Sequence, residues 1–526
     1  MDTGDMDRGR YWDNWARMPP LALRPCTCSK SEYCPRLQLM ETTRREFITT
    51  GAAAAAFVLS GPSFAQSSDP TELTIAQAHR LIRSGALSPL ELVSAYFERI
   101  RRLDGQLNSF VTLTEERAVA RARALEAELS NGNWRGPLHG IPIALKDNID
   151  TAGVLTTAAS AVFAGRIPDR DAEVVRRLKD AGAIILGKLN MHEFAYGGTS
   201  AVSHFGPVHN PWDLARIPGG SSGGSGVAVA ARLCAGALGT DTGGSIRIPA
   251  AHCGIVGLKP TYGLASVRGI IPLSVSLDHV GPMCRTVADS ALILQALAGY
   301  DPYDIASIST NVPNYSSALQ RSTSALRLGV PRTLFYDNLE PQILDATERA
   351  LSVLSELTAS TREVELPPRP QARPVMVEAY GYHAEHLKDK RELYAASTLE
   401  RIVAGANFPA TDYADILYQL KLGRKAIAEI FEEVDVLITP TLAQLPVSIE
   451  TALESPLEAT QILIRNPAPF NFYGIPTISI PCGFSREGLP IGLQISGRAL
   501  GELQVLALAH AYEQATDWHT RTPPLN

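Results

Sequence analysis

Two glycine- and serine-rich runs constrain this chain more than any other feature: Pro218-Gly219-Gly220-Ser221-Ser222-Gly223-Gly224-Ser225 and Gly239-Thr240-Asp241-Thr242-Gly243-Gly244-Ser245-Ile246-Arg247-Ile248-Pro249. Glycine admits backbone conformations closed to other residues, so such runs suit tight turns in which main-chain N–H groups converge. A flexible linker can have the same composition, but residues 227–238 between the runs are apolar and alanine-rich. The turns are therefore tethered to buried elements. Converging N–H groups stabilise a developing oxyanion, and losing one donor costs about 10²–10³ in turnover. A serine inside such a turn is a candidate nucleophile.

Helical and extended patterns alternate around these turns. Residues 72–129 read as helical, with Ser88 as a cap and Pro89 just inside a helix start. Residues 141–145, ending at Lys146, form a short apolar run and read as a buried strand. Residues 172–181 carry an apolar stripe of Val174, Val175 and Leu178, and residues 182–187 read as the next strand. This alternation implies a largely parallel sheet covered on both faces. Further strands are expected at 325–330, 434–439, 475–481 and 491–495, a surface loop at 304–324, and a last helix at 502–514. Residues 375–431 read as a helical lobe laid over the sheet.

A serine nucleophile needs a base. None of the eleven histidines sits in a context that singles it out, and His252 and His279 fit the core equally well. Lys146 is the stronger candidate, because burial at a strand end lowers a lysine's pKa and frees it to accept a proton. Gly219-Gly220-Ser221-Ser222-Gly223 also fits a nucleophile elbow, but no ordered Asp/His pair accompanies it. Gly182 to Lys188 resembles a phosphate-binding loop, yet Leu189 stands where Ser or Thr is required.

Taken together, the two runs resemble the signature of the amidase-signature family. Similar patterns are Gly136-Pro137-Leu138-His139-Gly140-Ile141-Pro142, Asn210-Pro211-Trp212, Gly257-Leu258-Lys259-Pro260-Thr261, Ser276-Leu277-Asp278-His279-Val280-Gly281-Pro282 and Gly488-Leu489-Pro490-Ile491-Gly492-Leu493-Gln494. The resemblance implies an α/β fold: a single large domain with a mixed, mostly parallel central sheet flanked by helices on both faces. It implies Ser245 as nucleophile, Ser221 as a proton shuttle on a cis peptide bond, and Lys146 as base. It places the oxyanion hole at the main-chain N–H groups of Thr242, Gly243 and Gly244. The implied activity is hydrolysis of a carboxamide to a carboxylate plus ammonia or amine through an acyl-enzyme, with no metal or organic cofactor. The substrate pocket is expected between the segment at Ala195 and the helical lobe. The alternative is the glutamine-hydrolysing subunit of a tRNA amidotransferase, working with partner chains in the cytosol. Met191-His192-Glu193-Phe194-Ala195 weighs against it, since those subunits tend to have Asp where His192 stands.

The N-terminus gives a different set of expectations. Thr42-Thr43-Arg44-Arg45-Glu46-Phe47-Ile48 forms a twin-arginine pattern, followed by an apolar run at 51–60 and a small-x-small triplet, Ser63-Phe64-Ala65. Residues 40–65 are therefore expected to be a signal peptide cleaved after Ala65. The expected product is an exported, periplasmic or secreted enzyme, handled by the twin-arginine machinery. Met40 is read as the true start, residues 1–39 as a non-native leader, and residues 66–526 as the amidase domain. A net charge of −6 without a basic stripe gives no reason to expect nucleic acid as a partner. Cys234, Cys253, Cys284 and Cys482 are scattered singly and read as buried free thiols, and no Cys/His spacing suggests zinc.

Overall fold

One sheet of 11 strands runs through the computed structural model, which describes residues 69–369 and 374–525. The leader, the twin-arginine segment and Cys26, Cys28 and Cys34 lie outside the described residues. The strands are β1 (Phe110–Leu113), β2 (Pro142–Lys146), β3 (Ile184–Leu189), β4 (Gly236–Asp241), β5 (Val256–Lys259), β6 (His279–Cys284), β7 (Arg327–Val330), β8 (Ser360–Glu363), β9 (Val436–Pro440), β10 (Thr477–Phe484) and β11 (Pro490–Gly497). Their order across the sheet is β1-β3-β2-β4-β6-β5-β10-β11-β9-β7-β8.

The sheet is mixed, as expected, but less parallel than the helix–strand alternation implies. Only β2–β3, β2–β4, β7–β8 and β7–β9 pair in parallel. The middle of the sheet, from β4 through β6, β5, β10 and β11 to β9, is antiparallel throughout. The reason lies in chain connection: β10 and β11 are joined by a short turn through Gly488, which only an antiparallel pair allows.

Strands β2, β4, β6, β9 and β11 are buried along their whole length. This is why they read as continuous apolar or small-residue runs rather than alternating ones. One apolar cluster packs the N-terminal helices, with Ile82, Tyr96, Phe97 and Leu125, against Ile143, Leu145 and Leu238. A second packs Leu294, Leu354 and Leu508 against Ile438, Ile478 and Leu493. The helix Pro89–Leu107 begins as the sequence predicts, with the Ser88 hydroxyl accepting the Glu91 N–H at 3.1 Å. It ends at Asn108, whose φ of 53° breaks the helical reading of 72–129 and releases β1 as an edge strand on β3. Residues 375–431 contain the helices Val375–His383, His386–Asp389 and Ala396–Val403 and most of Ala410–Glu433. Cys234, Cys253, Cys284 and Cys482 are free and buried, as expected.

Candidate active site

Strand β2 delivers Lys146 to a site with no solvent contact. Its Nζ lies 2.7 Å from Ser221 Oγ and 2.8 Å from Thr240 Oγ1, with the Thr240 carbonyl at 3.4 Å. Asn148 Nδ2 donates to the same Thr240 hydroxyl at 3.2 Å. Burial lowers the Lys146 pKa from 10.5 to about 7, against the opposing pull of the Asp241 and Asp278 carboxylates.

Ser221 is buried beneath the first glycine-rich turn, and the peptide bond joining it to Gly220 is cis. A side chain at Gly220 has no room, since its Cβ would fall 2.6 Å from Ser200 Oγ and 2.8 Å from Ser200 N. Ser245 stands on the second turn and reaches a cavity of about 560 Å³ that Ser221 does not line. Among the described residues, nothing hydrogen-bonds the Ser245 hydroxyl, but the two turns are adjacent, with the Ser222 N–H donating to the Ser245 carbonyl at 3.2 Å.

A buried carboxylate shapes the second turn. Asp241 Oδ1 accepts the Gly244 N–H at 2.7 Å, and Oδ2 accepts the Ile246 N–H at 3.0 Å. Arg247 donates to both oxygens, at 3.0 and 3.1 Å, and Asn471 Nδ2 adds a bond at 2.8 Å. Burial alone would raise the Asp241 pKa, but Arg247, Lys259 and Asn471 hold the carboxyl well below its usual range. The Gly244 N–H is therefore already engaged. The N–H groups of Thr242 and Gly243 have no hydrogen-bond acceptor among the described residues, and both residues line the cavity. The Thr242 side chain donates to Asp278.

Ala195 also lines the cavity. It and Phe194 sit in the left-handed region, with φ of 58° and 51°. Val375, Met376, Arg401 and Ala404 close the cavity from the helical lobe, and Leu457, Ile464 and Phe472 from the C-terminal helices. Arg401 lies over the Tyr196 ring at 4.1 Å and donates to the Tyr196 carbonyl.

Of the residues expected from sequence, Lys146 and Ser221 meet directly, while Ser245, Thr242, Gly243 and Ala195 share the cavity. Among the described residues, neither His252 nor His279 hydrogen-bonds the hydroxyl of Ser221 or Ser245. His279 Nδ1 faces the Leu277 carbonyl at 2.6 Å, and burial pushes the His252 pKa down to about 4. Lys188 is no phosphate ligand: it is buried in β3 and donates to Thr156 Oγ1 at 2.8 Å and to the Ile149 carbonyl. Sequence reasoning missed Thr240, Asn148 and Asp278, and the cage of Asp241, Arg247 and Asn471. All but Asn471 lie inside or beside the quoted motifs, where residue type could have flagged them.

The family model for Amidase matches residues 91–506. The glutamyl-tRNA(Gln) amidotransferase A subunit of Geobacter sp. (strain M21) is 39% identical over 483 residues, covering 86% of this chain and 99% of the relative. Its namesake from Methylococcus capsulatus (strain ATCC 33009 / NCIMB 11132 / Bath) is 43% identical over 479 residues, covering 86% and 98%. A solved bacterial aryl acylamidase of the amidase signature family superimposes with a TM-score of 0.78 at 27% identity, over 85% of this chain and 98% of that one. These relatives overturn the exported, periplasmic or secreted location drawn from the N-terminus. Both curated relatives are named as the A subunit of a glutamyl-tRNA(Gln) amidotransferase. By its family match and its near-complete overlap with these relatives, the chain is an amide hydrolase that belongs to the amidase-signature family.

Proposed function

We propose that the chain cleaves a carboxamide by acyl transfer, with Ser245 as nucleophile, Ser221 as proton relay and Lys146 as base. The observation that carries this reading is the 2.7 Å approach of a fully buried Lys146 Nζ to Ser221 Oγ. A neutral lysine accepts the Ser221 proton as Ser221 takes the proton of Ser245, and Ser245 Oγ attacks the amide carbonyl. The N–H groups of Thr242 and Gly243 receive the oxyanion, and Gly244 holds the turn with its own N–H on Asp241. The proton returns through Ser221 to the leaving nitrogen, which departs as ammonia or amine. Water then releases the acid from Ser245. Ala195 and the lobe residues Val375, Met376 and Arg401 form the acyl pocket.

A second reading shares this chemistry and differs in substrate. The Geobacter and Methylococcus relatives favour the glutamine-hydrolysing component of a tRNA amidotransferase, with partner chains and tRNA receiving the ammonia. His192 is the residue that departs from it.

One experiment tests both levels. A fluorophosphonate probe should attach to Ser245, located by mass spectrometry of the labelled peptide; an adduct on Ser221 overturns the assignment. Ammonia release from glutamine, set beside a panel of primary amides and peptide amides, then separates the two readings. Turnover of glutamine well above every other amide selects the amidotransferase component, and the reverse selects a stand-alone amidase.

A further inference from the structure

Asp278 is a buried carboxylate that the proposed acyl transfer does not use. It sits immediately before β6, on the motif Ser276–Pro282, with one oxygen on the proposed oxyanion turn and the other on the cavity wall. Oδ1 accepts the hydroxyl of Thr242. Oδ2 accepts the N–H groups of Leu273 and Ser274, at 2.9 and 3.0 Å. Leu273 and Leu277 themselves line the cavity. A carboxylate taking three hydrogen bonds in a dry site fixes its donors far more tightly than a solvated one does.

The wall segment is suspended from its other side by the helical lobe. Glu378, on the helix Val375–His383, accepts the Ser274 and Ser276 hydroxyls and the Ser276 N–H, and takes the Tyr413 hydroxyl at 3.0 Å. Arg424 donates to the Ser276 carbonyl at 2.7 Å and lies over the Tyr262 ring, whose hydroxyl reaches the Val275 carbonyl at 2.7 Å. An unbroken line of hydrogen bonds thus leads from Tyr413 through Glu378 and residues 273–278 to Thr242.

We infer that Asp278 is the positioning residue of the oxyanion turn: it fixes Thr242 against the cavity wall and joins that turn to the helical lobe. The inference rests on the proposed roles of Ser245, Lys146 and the Thr242–Gly243 turn. A hydroxyl held at one edge of the turn aims the backbone N–H beside it, so disturbing Asp278 should weaken transition-state binding more than ground-state binding.

The same carboxylate acts on the base at a distance. The charges that face Lys146 are Asp241 and Asp278, which favour its ammonium form, with His192 nearby. The groups that face Asp278 are Glu378 from the lobe, Tyr262, and Lys146 from β2. Removing the Asp278 charge while keeping its shape therefore lowers the Lys146 pKa further. A structural carboxylate remote from the chemistry would have no such effect.

The test is Asp278→Asn in the full chain, with rates and fluorophosphonate labelling followed across pH. The expected result is a kcat lower by about tenfold or more with KM changed less than about threefold. The acidic limb of labelling should move to lower pH by about half a unit. Thr242→Val, which leaves the Asp278 charge in place, should reproduce the loss in kcat without moving the limb. If the label sits on a residue other than Ser245, the reading of the triad fails. If it sits on Ser245 and Asp278→Asn has the parental kcat, or an unmoved limb, the inference fails. Should Asp278→Asn not fold, Thr242→Val decides: a folded enzyme with parental kcat overturns the inference.

Discussion

The sharpest consequence of the geometry is the pH dependence of Lys146. Its Nζ is buried, and its pKa is lowered from 10.5 to about 7 by the loss of hydration, with Asp241 and Asp278 opposing. That displacement means the site disfavours the ammonium by roughly 5 kcal/mol relative to water. The sign follows from the proposed role: a lysine base must be neutral, so activity should be present above the folded pKa and lost below it. At pH 6 about one tenth of the enzyme holds neutral lysine, and at pH 8 about nine tenths. Initial rates of ammonia release between pH 5 and 10 should give kcat/KM with a single acidic limb near 7 and a plateau beyond 8. Lys146→Arg keeps the charge but cannot deprotonate, and should be inactive over the whole range. A profile still climbing at pH 9.5 describes a solvated lysine and refutes the argument. A limb near 4.5 describes a carboxylate base and refutes it equally.

Three further outcomes follow from the same geometry. Ser221→Ala should still accept a fluorophosphonate on Ser245, but slowly, whereas Ser245→Ala should accept none; equal labelling rates for Ser221→Ala and the parent would remove Ser221 from the relay. Arg247→Met leaves the buried Asp241 without its partner and should destabilise the fold by about 3–5 kcal/mol in urea unfolding; a change under about 1 kcal/mol would show that Asn471 and the turn N–H groups suffice. Gly423→Ala places a Cβ 2.1 Å from Phe472 Cε1, and Phe472 lines the cavity, so the ring must turn and KM should change more than kcat; steady-state kinetics on two amides of different size read this directly.

Elements whose burial is uniform were legible in the sequence. β2, β3, β9, β10 and β11 each fall within a few residues of an apolar run, because a strand covered on both faces admits few polar residues. The helices Glu173–Asp180 and Glu502–Ala515 were equally plain. β4, Gly-Ala-Leu-Gly-Thr-Asp, escaped notice because small residues replace β-branched ones where neighbouring elements press close. A Cβ on Gly236 would meet Ile293 at 2.8 Å, and one on Gly239 would meet Met283 Sδ at 2.8 Å. β8, Ser-Thr-Arg-Glu, is an exposed edge with no apolar face to betray it. The parallel content was overestimated because local alternation fixes which elements occur, not which neighbour each strand chooses.

The candidate site was legible where chemistry and chain coincide, and illegible where they part. Lys146, Ser221 and Ser245 lie within motifs whose residue types announce proton transfer and oxyanion binding, so short stretches of chain sufficed to nominate them. The residues that hold them in place follow another logic. Asp241 is satisfied by Arg247 six residues on, but also by Asn471, 230 residues away, and Arg247 reaches Gln494, 247 residues away. No local pattern links these positions, because the requirement they meet is that a buried charge find every partner it needs, wherever the fold can supply one. Gly244 shows how such a requirement revises a motif-based role. The motif offers three successive N–H groups to an oxyanion, yet the carboxylate that keeps the turn closed takes one of them at 2.7 Å. The donors left for chemistry are those that the scaffold does not claim, and the scaffold becomes visible only when distant segments are brought together.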